Sequence, residues 1–167
     1  SHLSGPVALA IRWADQLAPG GVLLVEELEA ITTQVAVFLR YLEVNTALIA
    51  SQGAELFVGQ TLARGDYRNR LLCNAPTAFP VPTRSAASWF RANVSTLWQT
   101  DPFIRTRVAS SERKSICAEL TRLAALPPGE SAIVWVMRRI VVASDTANRE
   151  PNAARATARY CPWGQGG

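Results

Sequence analysis

The stretch from Leu17 to Glu27 constrains the fold more than any other part of the chain. Its sequence is Leu-Ala-Pro-Gly-Gly-Val-Leu-Leu-Val-Glu-Glu, in which a helix-stopping Pro-Gly-Gly is followed at once by four apolar residues. The run Val22–Val25 is too short for a helix and β-branched at both ends, which indicates a buried strand. Glu26 and Glu27 then place charge at the predicted carboxyl end of the strand, where open parallel sheets bind their ligands.

Helices and strands are predicted on both sides of this strand. Apolar residues recur near the helical period from Pro6 to Leu17, and proline suits the first turn of a helix. Helix, glycine turn and buried strand make half of a βαβ unit. The remaining predicted elements are a helix after Thr32-Thr33 that ends before Gly53, a strand over Tyr67–Val81, a helix over Arg84–Thr100, a helix from Ser110 or Ser111 to Pro127, and a strand over Ser131–Ser144.

The composition is that of a globular protein and favours neither nucleic acid nor membrane as a partner. Of the 167 residues, 49% are hydrophobic and 18% are charged. The net charge of +4 is spread along the chain, without the basic clusters and interleaved aromatics that bind nucleic acid. No apolar run approaches the roughly 20 residues of a membrane helix, and no leader sequence opens the chain. These features predict a soluble protein in the cytoplasm.

The cysteines and the single methionine add two expectations. Cys73, Cys117 and Cys161 are odd in number and far apart, which favours reduced thiols of a cytosolic protein over a disulfide framework. The only methionine is Met137, so the chain that begins at Ser1 is predicted to be trimmed or a fragment.

Few residues carry recognisable chemistry. The single histidine, His2, leaves no Ser-His-Asp or Cys-His arrangement, and no spacing typical of metal ligands is present. Glu26 and Glu27 form a carboxylate pair, but adjacent strand residues point to opposite faces, so at most one of them contacts a ligand. The alternative for the pair is a solvated strand end.

Three tryptophans allow two interpretations. Trp89, Trp98 and Trp135 could line an apolar substrate pocket. Their helical or strand spacing is more typical of core residues.

Several of these residues together resemble a known family. Ser1-His2-Leu3, a helix carrying Ile11-Arg12-Trp13-Ala14 and the Leu17 to Glu27 stretch resemble the second half of class I S-adenosylmethionine-dependent methyltransferases. In that family the fourth strand ends in a His-Leu-type turn near the cofactor, the next helix ends in Leu-x-Pro-Gly-Gly, and the fifth strand often finishes in an acidic residue. The sixth and seventh strands would be Tyr67–Cys73 and Ala132–Val142.

The resemblance implies an α/β fold. This would be a partial Rossmann-like methyltransferase fold of three layers, with a parallel strand, a carboxyl-terminal antiparallel hairpin and a helical insertion. Residues 1–145 would form the carboxyl-terminal half of the domain, and residues 146–167 a loose tail. The glycine-rich cofactor loop of the family would lie upstream of Ser1.

The resemblance also implies a function. His2 and Leu3 would lie near S-adenosylmethionine, and Glu26 and Glu27 near the methyl-accepting group of an unidentified small molecule. No metal is implied. The alternative is a catalytically incomplete interaction module that pairs with another chain, either a second copy or the missing amino-terminal half.

Overall fold

A computed structural model of the chain describes residues 5–129 and 131–144. The predicted boundary between residues 145 and 146 and the predicted tail lie outside these residues. In chain order the elements are α1 (Pro6–Ala14), β1 (Val22–Thr33), α2 (Ala36–Ser51), α3 (Val58–Ala63), β2 (Leu71–Val81), α4 (Thr83–Ser95), α5 (Leu97–Thr100), α6 (Pro102–Arg107), α7 (Ser110–Ala124) and β3 (Ile133–Ala143).

The three strands form an open antiparallel sheet in the order β1-β3-β2. At one end of the sheet the amide of Ser144 donates to the carbonyl of Gly21 at 2.9 Å, which sets the register of β3 on β1. The amide of Ala143 donates to the carbonyl of Arg70 at 2.9 Å and aligns β2 with the other side of β3. The predicted mixed α/β class is confirmed, and helices α4–α7 are inserted between β2 and β3 as expected. Within the described residues the sheet is not the parallel Rossmann-like sheet that the resemblance implies.

Strand β1 is much longer than the four apolar residues that predict it. It continues through the acidic residues to Thr33, so Glu26 and Glu27 lie in mid-strand and the prediction that they end the strand is wrong. At the end of the strand the Thr33 hydroxyl donates to the carbonyl of Ala132 at 2.8 Å and accepts from the amide of Val35 at 3.1 Å. Helix α2 begins three residues later, at Ala36, and ends before Gly53 as predicted. Gly53 has a φ of +74°, which is typical of a glycine that follows a helix.

The chain divides into two compact units, which are described separately. The described part of unit 1 comprises residues 5–30, 57–78 and 136–144. Its core joins α1 and α3 to β3 through Ile11, Leu62 and Ile140, among other buried residues. Tyr67 lies in this core and donates its hydroxyl to the carbonyl of Leu62 at 2.9 Å. Burial raises the pKa of Tyr67 to about 12.

Unit 2 comprises residues 31–56 and 79–135, of which residue 130 is not described. Its core is built around stacked aromatic rings. The Tyr41 ring stacks on Phe90 at 4.0 Å and on Trp98 at 5.6 Å between ring centroids, and Phe38 meets Phe90 edge-on at 5.3 Å. Asn93 donates its amide to the Tyr41 hydroxyl at 2.7 Å, while burial raises the pKa of that tyrosine. These contacts hold α2, α4 and α5 together.

The cysteines depart from the prediction. Cys73, buried on β2, is disulfide-bonded, whereas Cys117 on α7 is a free thiol. The expectation of reduced thiols is therefore wrong for Cys73. No helix among the described residues is long and apolar enough to cross a membrane.

Candidate functional site

The candidate site is the charged middle of the sheet, where acidic residues of β1 face arginines of β3. Of the residues expected to contact ligands, Glu26 and Glu27 lie on β1 in this region. His2 and Leu3 lie outside the described residues. The structure therefore describes one of the two predicted pairs, and the prediction for His2 and Leu3 stays a prediction.

Glu26 is engaged by an arginine of the neighbouring strand. Its carboxylate accepts from Nε of Arg139 at 2.8 Å and from Nη2 at 2.6 Å. Both side chains remain partly exposed to solvent. A ligand that bound Glu26 would have to displace this arginine or bind beside it.

Glu27 is exposed, and no arginine or lysine of the described residues pairs with it. Alternation along a strand points its side chain to the face opposite that of Glu26. Glu27 is thus the member of the predicted pair with a carboxylate free to contact a ligand.

A more enclosed ion pair lies beside these residues and was not predicted. The carboxylate of Glu29 accepts from Nε and Nη2 of Arg138 in a bidentate pair, at 2.7 Å for each contact. The side chains of Glu29 and Arg138 are only 21% and 13% exposed. Nη1 of Arg138 donates to Oδ1 of Asn74 at 3.0 Å, so the guanidinium is held from two strands.

Helix α3 closes over the backbone of Glu29. The side-chain amide of Gln60 donates to the Glu29 carbonyl at 3.1 Å. A Cβ at Gly59 would lie 2.8 Å from Cα of Glu29, which is closer than any side chain can approach. The glycine therefore allows the helix to lie against the strand, and the Glu29–Arg138 pair is shielded as a result.

The arrangement favours binding over proton transfer. Two of the three carboxylates on β1 are already occupied by charged hydrogen bonds from Arg138 and Arg139. The described residues contain no group of three or more histidine, cysteine or acidic side chains that could hold a metal ion. The charged pairs can orient a polar ligand, and Glu27 can accept a hydrogen bond from it.

The tryptophans divide between core and surface. Trp98 is completely buried in the aromatic core of unit 2, as the core interpretation predicts. Trp89 is 53% exposed, and its ring lies 5.3 Å from that of the half-buried Trp135. The three rings do not line a common pocket with Glu26 or Glu27 among the described cavities.

Comparison with known proteins gave no match. No protein-family model, no curated protein and no solved structure matches the chain. The interpretation of the site therefore depends on the geometry above and on the resemblance drawn from the sequence.

Proposed function

We propose that the chain is the carboxyl-terminal half of a class I S-adenosylmethionine-dependent methyltransferase domain that methylates a small molecule. The observation that carries this proposal is the strand order of the described sheet. β3 lies between β1 and β2 and is antiparallel to both. This agrees with the antiparallel carboxyl-terminal hairpin that the resemblance implies, and the helices between β2 and β3 agree with the expected insertion.

The turn between α1 and β1 gives a second line of support. Gly20 has a φ of +77°, a conformation that side-chain-bearing residues rarely adopt. A Cβ at Gly21 would lie 2.9 Å from the carbonyl oxygen of Ala18. Both glycines of the Pro-Gly-Gly sequence are therefore needed for the helix to reverse into the strand. Gly20 and Gly21, which belong to the sequence that resembles the methyltransferase family, are therefore also the residues that the turn from α1 into β1 requires.

The free edge of β1 supports a domain larger than the described sheet. On the side away from β3, no strand of the described residues pairs with β1. Leu24 on β1 is 54% exposed and Trp13 on α1 is 48% exposed. Long free edges and exposed apolar side chains are typical of surfaces that another part of a protein covers. In the proposed parent domain, further strands of the sheet pair with β1.

The described residues do not by themselves form a site for S-adenosylmethionine. The only Gly-x-Gly sequence of the chain is Gly164-Gln165-Gly166, outside the described residues. A glycine-rich loop between a strand and a helix is absent from residues 5–129 and 131–144. We therefore assign the main cofactor contacts to the amino-terminal half of the parent domain. His2 and Leu3 would add contacts at the junction, and Glu27 would face the substrate.

The experiment that tests the function is a calorimetric titration with S-adenosylhomocysteine. Two proteins are compared. The first is the present chain, and the second, called the extended chain, also contains the residues encoded upstream of Ser1. We expect saturable one-to-one binding by the extended chain and none by the present chain at millimolar ligand. Absence of binding by a folded extended chain would contradict the proposal.

A second candidate function is an interaction module that pairs with another chain. The free β1 edge favours it, since unpaired strands readily add a further strand. Antiparallel pairing of two copies through β1 would bring Glu26 and Glu27 close to the same residues of the second copy, which is unfavourable. A partner with basic residues suits this edge better. The titration separates the two functions, because the module predicts no binding of S-adenosylhomocysteine by a folded extended chain, whereas the methyltransferase predicts one-to-one binding.

A further inference from the structure

The sheet of unit 1 has two faces, and helices α1 and α3 pack against one of them. Ile140 and Val142 of β3 lie in the core that these helices form with the sheet. Val141 lies between them in the strand, so its side chain points to the opposite face. We call this opposite face, which carries Val141, the second face.

Cys73 of β2 also points to the second face. The side-chain amide of the next residue, Asn74, donates to the carbonyl of Ala63 at the end of α3, at 2.9 Å. Oδ1 of Asn74 accepts from Arg138 at 3.0 Å. Asn74 therefore lies on the side of α3, and alternation along the strand places Cys73 on the other side.

The second face is covered at β2 and β3 but open at β1. Val141 is 2% exposed and Cys73 is 3% exposed, and Val141 belongs to neither apolar core of the described residues. Leu24 of β1 lies on the same face, because its neighbours Leu23 and Val25 pack against the core with α1 and α3. Leu24 is 54% exposed. A cover of the β2 and β3 side accounts for this difference.

The disulfide of Cys73 identifies the segment that provides this cover. The chain has three cysteines, at positions 73, 117 and 161. Cys73 is disulfide-bonded, whereas Cys117 is a free thiol. A bond within the chain therefore leaves Cys161 as the partner of Cys73, and Cys161 lies outside the described residues.

We infer that Cys73 is bonded to Cys161 and that residues 145–167 cover the second face beside β2 and β3. The run Tyr160-Cys161-Pro162-Trp163 is the most apolar part of this segment, so the disulfide brings apolar side chains to the face that carries Val141. The inference does not depend on the proposed methyltransferase function.

The length of the segment is sufficient for this bond. Cys161 lies seventeen residues after Ser144, and a chain of that length can span roughly 55 Å. Cys73 lies three residues along β2 from Arg70, whose carbonyl accepts from the amide of Ala143. Three residues of a strand span roughly 10 Å, so Cys161 can return to Cys73 with chain to spare.

Formation of the bond is an oxidation of two thiols. The two S–H bonds break, one S–S bond forms, and two protons and two electrons leave the protein. An oxidant of the disulfide class, such as oxidised glutathione, takes up both and becomes two thiols.

Peptide mapping of the intact chain without reductant tests the pairing. The protein is unfolded, its free thiols are blocked with N-ethylmaleimide, and it is digested with trypsin, which separates the cysteines into the peptides 71–84, 115–122 and 160–167. We expect peptide 71–84 to be linked to 160–167 and peptide 115–122 to carry the blocking group. A link between 71–84 and 115–122, a link between two copies of 71–84, or blocking of all three cysteines would overturn the inference.

Thermal unfolding tests whether the two cysteines act as one unit. Cys161→Ala is expected to lower the thermal midpoint by roughly 5–15 °C, because a disulfide that closes a long loop restricts the unfolded chain. The control Cys117→Ala removes a thiol without a bond and should change the midpoint much less. The double variant Cys73→Ala/Cys161→Ala should unfold at the midpoint of Cys73→Ala alone. Losses that add in the double variant would contradict the pairing.

Dye binding tests the cover of the second face. In folded Cys161→Ala the segment is no longer fixed to β2, so Val141 becomes accessible and the fluorescence of anilinonaphthalene sulfonate should rise above that of wild type. Folded Cys117→Ala should bind the dye as wild type does. Equal dye fluorescence of all three proteins would overturn the assignment of residues 145–167 to the second face. Should Cys161→Ala not fold, the peptide map of wild type decides the pairing alone.

Discussion

Replacing Trp98 by alanine is expected to lower the free energy of unfolding by about 3 kcal/mol. Trp98 is completely buried and stacks on Tyr41 of α2, so its removal leaves a cavity beside Tyr41 that the aromatic core of unit 2 cannot fill. The expected loss is at the lower end of the range for such changes. Its Nε1 is buried without a hydrogen-bond partner, and truncation removes that unfavourable group.

Urea denaturation of two further variants tests this prediction by comparing their losses in the free energy of unfolding. Trp98→Phe removes the unpaired N–H but keeps most of the ring, so we expect a loss of less than about 1.5 kcal/mol. Trp89→Ala removes a tryptophan that is 53% exposed, and its effect should stay below about 1 kcal/mol. Equal effects of Trp98→Ala and Trp89→Ala would contradict the described core.

Replacing Glu29 by glutamine is expected to cost about 2 kcal/mol of stability, because it leaves the guanidinium of Arg138 without its counter-charge. The expected loss lies below the value for a fully buried pair, since Glu29 is 21% exposed. Arg138 of this pair also donates to Asn74, and the pair lies under α3. We therefore expect the substitution to weaken the packing of the whole charged middle of the sheet.

The neighbouring pair provides the matched control for Glu29. Glu26→Gln makes the same chemical change on the same strand, opposite Arg139, but at a pair that is partly exposed. Exposed ion pairs contribute little, so the loss should be below about 1 kcal/mol and should shrink further in high salt. A larger loss for Glu26→Gln than for Glu29→Gln in urea denaturation would show that the enclosure of Glu29 by α3 is wrong.

Much of the fold could be predicted because its signals are local. The Pro-Gly-Gly turn, the apolar run of β3 and the glycine after α2 each specify structure through their own neighbours, and each lies where expected. Helix α6 was not predicted, and the reason is also local. Asp101-Pro102 has the pattern of a helix break, but the Asp101 side chain accepts from the amide of Ile104 at 3.1 Å and caps a new helix that begins at Pro102.

The extension of β1 and the charged site could not be predicted from local patterns. Glu29 and Arg138 are separated by 109 residues, so the acidic run looks like the end of a strand until its partners are known. Arg138 and Arg139 make that run compatible with the sheet by neutralising it across the strands. The disulfide of Cys73 escapes prediction because the odd number of cysteines favours free thiols.

Hydrogen exchange at the free edge of β1 tests most directly the claim that this chain is half of a larger sheet. Because Ser144 pairs with Gly21, the amides of Val22, Leu24 and Glu26 point away from β3. We expect these three amides to exchange rapidly in the present chain and to become protected in the extended chain, where a further strand pairs with them. Rapid exchange of all three in a folded extended chain would contradict that claim.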